Sequence, residues 1–181
     1  MRNLLAVAAV AVLGGAVVAA ELKSGPQAGQ KVPGPFHPLN INGESAGKKN
    51  CLFCEAGGDP VVMVFARTPD CPGTQALIKS LEDAAAKNEK ADLRAYVIFL
   101  GAEDKLEAKL KDHADKAKLK KVVLAVESPE GPAKYNIAKD ADVTVLLYKD
   151  RTVAANHTFE KGKCDEAAAQ KVVADISKIV K

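Results

Sequence analysis

Four cysteines are the side chains of this sequence best suited to covalent chemistry, and three of them fall between positions 51 and 71. Cys51 and Cys54 form a C-x-x-C, Cys71 follows an unbroken apolar run, and Cys164 stands apart near the end of the chain. A thiolate can be a nucleophile, a metal ligand or half of a disulfide. For Cys51 and Cys54 three readings follow: a local disulfide pinning an irregular loop, a redox-active pair, or half of a metal site with His37 as the nearest further ligand. Attachment of a c-type haem is excluded, because Glu55 stands where the histidine is required.

The other reactive residue types have structural explanations. His113 lies beside the apolar stripe of a helical pattern and His157 on the inner side of a strand, which suits partly buried, hydrogen-bonded rings. Asp140 and Asp142 are explained by the start of a strand. The Lys-rich stretch 105–121 alternates with acids, as on a solvated helix face. No Ser-His-Asp set or phosphate-binding glycine loop is legible, no cofactor is implied, and no complete metal-ligand set can be read.

The 181 residues suffice for one domain with a full core. A net charge of +3, with Lys interleaved among acids and no aromatic cluster, argues against a nucleic-acid partner. Residues 1–20 read as a signal peptide: Arg2 supplies the positive start, 4–18 are small or aliphatic, and Val18-Ala19-Ala20 offers a cleavage site. The mature protein is then expected from about Glu21, exported to a periplasmic or extracellular compartment, with no stable membrane span after cleavage. An uncleaved anchor is the alternative. Export favours disulfides over metal, and four cysteines allow three complete pairings.

The elements that must position these thiols follow from periodicity. Residues 21–43 form an extended N-terminal segment rich in Pro and Gly, docked by Phe36, Leu39 and Ile41 and closed by an Asn42-Gly43 hairpin turn. Residues 44–60 form a polar loop carrying the C-x-x-C, within a main domain spanning 44–181. The runs at 61–66, 96–100 and 122–126 are continuously apolar, as in strands covered on both faces. Between them, Leu77, Leu81 and Ala84 share one helical face, and Leu106, Leu110, Ala114 and Ala117 another. This alternation implies parallel strands joined by right-handed crossovers. A strand at 143–148, a turn at 149–151 and an alternating strand at 152–159 follow, with Val153, Ala155, His157 and Phe159 on one side. Asp165 is suited to cap a last helix, whose stripe is Val172, Val173, Ile176, Ile179 and Val180.

This order resembles the thioredoxin fold in its redoxin branch, the peroxiredoxin and thiol-disulfide exchange proteins. Gly29-x-x-Val32-Pro33 with Phe36, Leu39 and Asn42-Gly43 is similar to that branch's first segment and hairpin. Residues 60–66 resemble its central strand, and 131–137 the short helix before its terminal hairpin. The resemblance implies an α/β, three-layer fold with a central mixed sheet, helices on both faces and an N-terminal hairpin extension. It also places the reactive cysteine of the family at Cys71, just after the central strand. Pro72 suits the first helical position, which makes Cys71 the N-cap, where unsatisfied N–H groups favour a thiolate. Thr68 matches a threonine that precedes the peroxidatic cysteine by three residues, and Arg67 could add positive charge. The sequence departs from the family in three places. Val64 replaces a proline, Thr74 stands where a thioredoxin C-x-x-C would end, and the strand at 143 is preceded by Asp140-Ala141-Asp142 without a cis-proline.

On this fold Cys51 and Cys54 precede the central strand while Cys71 follows it, and six strand residues span about 20 Å. A Cys54–Cys71 bridge needs Cα atoms within about 7 Å and is disfavoured. Cys164, beyond a strand parallel to the central one, emerges at the same pole as Cys71. The two could be a structural disulfide, a resolving couple or separate thiols. The expected function is thiol-disulfide or peroxide redox chemistry through Cys71, with a thiol or disulfide protein or a peroxide as partner. The alternatives are a non-catalytic, disulfide-stabilised binding module and a Cys/His metal-handling protein. Oligomeric state is not legible.

Overall fold

The structure, a computed structural model, describes residues 22–180. The expected signal peptide lies outside the described residues. No helix of the described residues is long and apolar enough to cross a membrane.

Six strands among these residues form one mixed sheet. In chain order they are β1 (Leu39–Asn40), β2 (Val61–Ala66), β3 (Arg94–Leu100), β4 (Val122–Glu127), β5 (Ala141–Lys149) and β6 (Thr152–Glu160), and their spatial order is β1-β4-β3-β2-β5-β6. β2 pairs parallel to β3, and β3 to β4, while β5 runs antiparallel to β2 and β6 antiparallel to β5. The α-helices among the described residues are α1 (Leu52–Ala56), α2 (Pro72–Lys87), α3 (Glu103–Ala117) and α4 (Glu166–Asp175). β2 sits in the middle and is buried along its whole length, which is why its sequence is apolar without alternation.

The two faces of the sheet are covered unequally. Two crossovers of the same hand step in the same direction, β2 to β3 to β4, so α2 and α3 cover one face together. Their Leu77, Leu81 and Leu110 pack there with Val62, Val64 and Val97, and Val172 of α4 completes that core. The opposite face is covered by lighter material: Val32 and Phe36 of the N-terminal segment, Leu52 and Phe53 of α1, and Tyr135 and Ile137. Phe36, Phe65 and Tyr135 form a ring cluster with centroids 5.1–5.9 Å apart, and the Tyr135 hydroxyl donates to the Gly34 carbonyl at 2.7 Å.

Four local expectations differ from the structure. The loop at 44–60 contains α1, a short helix held by the burial of Leu52, Phe53 and Ala56. The Asn42-Gly43 turn closes through a single bridge, Leu39 with Lys49, because β1 pairs instead with β4 and the Asn42 amide bonds the backbone of Val122 and Leu124. Ala117 is exposed at the end of its helix. In β6 a bulge between the Tyr148–Val153 and Leu147–Ala155 pairs moves Val153 to the face opposite Ala155.

Candidate active site

The chain leaves β2 through Arg67, Thr68, Pro69 and Asp70 and enters α2 at Cys71. Cys71 has extended backbone angles (φ −66°, ψ 124°), Pro72 takes the first helical position, and the Gln75 N–H donates to the Cys71 carbonyl at 3.0 Å. The missing N–H of proline costs nothing at that position, and its fixed φ starts the helix. Cys71 is a free, partly exposed thiol whose side chain makes no capping hydrogen bond. The first-turn N–H groups of a sixteen-residue helix therefore lack a side-chain cap at its positive dipole end.

Cys164 is the second thiol of this pole. It is free and buried in the loop between β6 and α4, with Gly162 at positive φ before it and Asp165 after it, whose carboxylate accepts the Ala168 N–H at 2.8 Å. Its backbone lies directly on the first turn of α2. A Cβ on Gly73 would stand 1.4 Å from the Cys164 carbonyl oxygen, so only glycine permits this approach. Burial first, then the charges of Cys71, Asp165 and Asp142, push the Cys164 thiol up to about 11. The loop that carries Cys164 thus lies against the helix turn that follows Cys71.

Polar side chains frame the pair. Thr68 donates its hydroxyl to the Asp142 carboxylate at 2.7 Å, and Asp142, at the start of β5, is only 6% exposed. Arg67 engages its guanidinium with the backbone: Nε, Nη1 and Nη2 donate to the carbonyls of Ala141, Pro129 and Ala138 at 3.0, 2.7 and 3.3 Å. It ties the 129–141 segment to the end of β2. The Thr74 hydroxyl, one turn into α2, is buried without a hydrogen-bond partner.

The C-x-x-C lies at the other pole. β2 begins there with Val61 opposite Tyr148, and the Asp150 N–H of the β5–β6 turn donates to the Gly58 carbonyl at 3.2 Å. Cys51 and Cys54 are joined in a disulfide, with Cα atoms 5.2 Å apart. Of the three readings of this pair, the structure contains the disulfide, so neither sulfur is free to ligate a metal. His37 is exposed, and the described residues include no group of three or more His, Cys, Asp or Glu able to hold a metal ion. The structure thus brings Cys71, Thr68 and Cys164 to one end of the sheet and leaves Cys51 and Cys54 at the other.

Two contributors to the site are not apparent from the sequence. Gly73 is a helix-disfavoured residue directly after Cys71-Pro72, and that oddity is the only hint of a close backbone approach. Asp142 becomes a site residue only through Thr68, 74 positions away.

No protein-family model and no curated protein matches the sequence. Solved structures do match. Peroxidoxin BcpB from Mycobacterium tuberculosis aligns with 88% of this chain and 99% of its own, at a TM-score of 0.60 and 16% identity. Peroxiredoxin Q from Xanthomonas campestris aligns with 81% and 92%, at 0.61 and 12%. A protein of Chlorobium tepidum proposed to be the thiol:disulfide interchange protein DsbE aligns with 86% and 99%, at 0.57 and 16%. The chain has the thioredoxin-like fold of these structures. In that fold the sheet is mixed and central, as the resemblance in the sequence implied, and α2 is the helix that follows the middle strand.

Proposed function

We propose that this redoxin-fold chain is an exported thiol redox protein in which Cys71 is the nucleophile and Cys164 the resolving thiol. The observation that carries this reading is the contact of Gly73 with the Cys164 backbone, which brings the loop bearing a buried thiol onto the first turn of the helix that Cys71 caps. The Cys71 thiolate attacks a sulfur of a partner disulfide, breaks the S–S bond, and leaves a mixed disulfide while one partner thiolate departs. Cys164 then loses its proton and attacks the Cys71 sulfur. A Cys71–Cys164 disulfide forms and the second partner thiolate leaves. With a peroxide, the first attack falls on oxygen, water or an alcohol leaves, and Cys164 resolves the sulfenic acid with loss of water.

The remaining residues fit subsidiary roles. Thr68 holds the buried Asp142 carboxylate at this pole, and the negative charge of Asp142 favours the neutral form of the Cys164 thiol. Arg67 acts as a positioning residue by anchoring the segment that leads to Asp142. Turnover of a model disulfide and of hydrogen peroxide by the native chain and by Cys71→Ser tests the reading and separates the two oxidants. Loss of turnover in Cys71→Ser supports it, and unchanged turnover with both oxidants overturns it.

A further inference from the structure

The disulfide at the opposite pole has a polarity of its own. Cys54 is exposed, while Cys51 is 6% exposed and its sulfur accepts the Cys54 backbone N–H at 3.1 Å. An attacking group can therefore reach one sulfur of the bond, and the other is already solvated by a backbone donor. The bridge joins residues only three apart, so it removes little freedom from the unfolded chain. α1 is also held independently of it. Leu52, Phe53 and Ala56 are buried, Asn50 donates to Glu55 at 2.9 Å, and Arg151 lies 5.2 Å over the Phe53 ring. Opening the bond would leave this helix seated. Glu55, next after Cys54, lines a cleft of about 340 Å³ with Arg94, Lys121 and Tyr96, and the buried Tyr96 hydroxyl has no hydrogen-bond partner.

We infer that Cys51–Cys54 is a second, independent redox couple, reduced by a dithiol that attacks Cys54 and releases Cys51. The incoming thiolate bonds to the Cys54 sulfur, the Cys51–Cys54 bond breaks, and Cys51 departs as a thiolate that takes up a proton from water. The second thiol of the dithiol then attacks its own sulfur in the mixed disulfide. Cys54 is released, the dithiol becomes a disulfide, and two electrons have passed to the protein. The cleft offers the carrier of that dithiol both charge signs and an unused hydroxyl. The inference does not rest on the roles given to Cys71 and Cys164.

The test uses the full chain carrying Cys71→Ser and Cys164→Ala, so that only the distal pair can react, with peptide mapping of the native chain as a check should that background fold poorly. Cys51→Ser or Cys54→Ser is added, and each protein is treated with an aromatic disulfide that reports thiol capture. Cys54 in the Cys51→Ser chain is expected to form the mixed disulfide at least roughly tenfold faster than Cys51 in the Cys54→Ser chain. In the native chain, limiting dithiothreitol should open Cys51–Cys54 without unfolding. A reduced C-x-x-C protein supplied at the same dithiol concentration distinguishes the carrier: faster reduction points to a protein, equal rates to a small dithiol. Faster capture at Cys51, equal capture at both, or a bond that dithiothreitol opens only on unfolding would overturn the inference.

Discussion

Gly73 and Cys164 touch backbone to backbone: a methyl group on Gly73 would stand 1.4 Å from the Cys164 carbonyl oxygen and 2.5 Å from its carbon. Gly73→Ala must therefore push the 161–165 loop off α2. The expected cost is about 3 kcal/mol, as for overpacking against unyielding backbone, or about 2–4 °C of Tm per kcal/mol for a chain of this size. Thermal unfolding checks the first effect. Non-reducing peptide mapping checks the second, which is loss of any Cys71–Cys164 disulfide after mild oxidation.

The Thr68 hydroxyl is the hydrogen-bond donor to a carboxylate that β5 buries. Thr68→Val keeps the shape and removes the donor, with an expected loss of about 1–3 kcal/mol. Thr68→Ser keeps the hydroxyl and should recover most of it. Denaturant unfolding of the two variants, compared with Asp142→Asn in the same background, measures the coupling.

Arg67 spans three carbonyls with a planar fork, a task a point-charge ammonium cannot perform. Arg67→Lys should lower stability by about 1–3 kcal/mol while leaving the rate of Cys71 alkylation in the folded protein little changed. A fall in that rate larger than the stability loss accounts for would assign the guanidinium to the thiol instead.

Cys164 gives a pH dependence of known sign. Its folded pKa is raised to about 11 by burial first, then by the neighbouring charges. The folded state thus prefers the neutral thiol. The resulting stability is fully present below the unfolded thiol's pKa of about 8.5 and is lost as pH rises through about 11. Cys164→Ala should flatten the stability curve across that window. Burial also raises the phenols of Tyr96, Tyr135 and Tyr148, whose alkaline loss sets in near the ordinary phenol pKa of about 10, overlaps the upper part of that window and is shared by both chains.

The parts of the fold that could be read in the sequence are those where burial is complete. Residues 61–66 are apolar at every position because β2 is covered on both sides, and Pro72 marks the start of α2 through its fixed φ. What could not be read depends on contacts far apart in the chain. α1 is hidden in a polar, glycine-containing stretch because its burial comes from the sheet face above it. The bulge in β6 breaks a regular alternation that the sequence itself maintains. The site divides the same way. Cys71 follows from its strand and proline. The contact that brings Cys164 to it depends on Gly73, whose constraint comes from the far end of the chain, and the orientation of Arg67 depends on three carbonyls of a later loop.

The central claim, that Cys71 and Cys164 form one reversible redox couple, is tested most directly by oxidising the reduced native chain with one equivalent of disulfide or peroxide and mapping every cysteine by mass. The account predicts a Cys71–Cys164 disulfide that a dithiol reverses. Cys71 left as a persistent mixed disulfide or over-oxidised acid, with Cys164 still a free thiol, would contradict it.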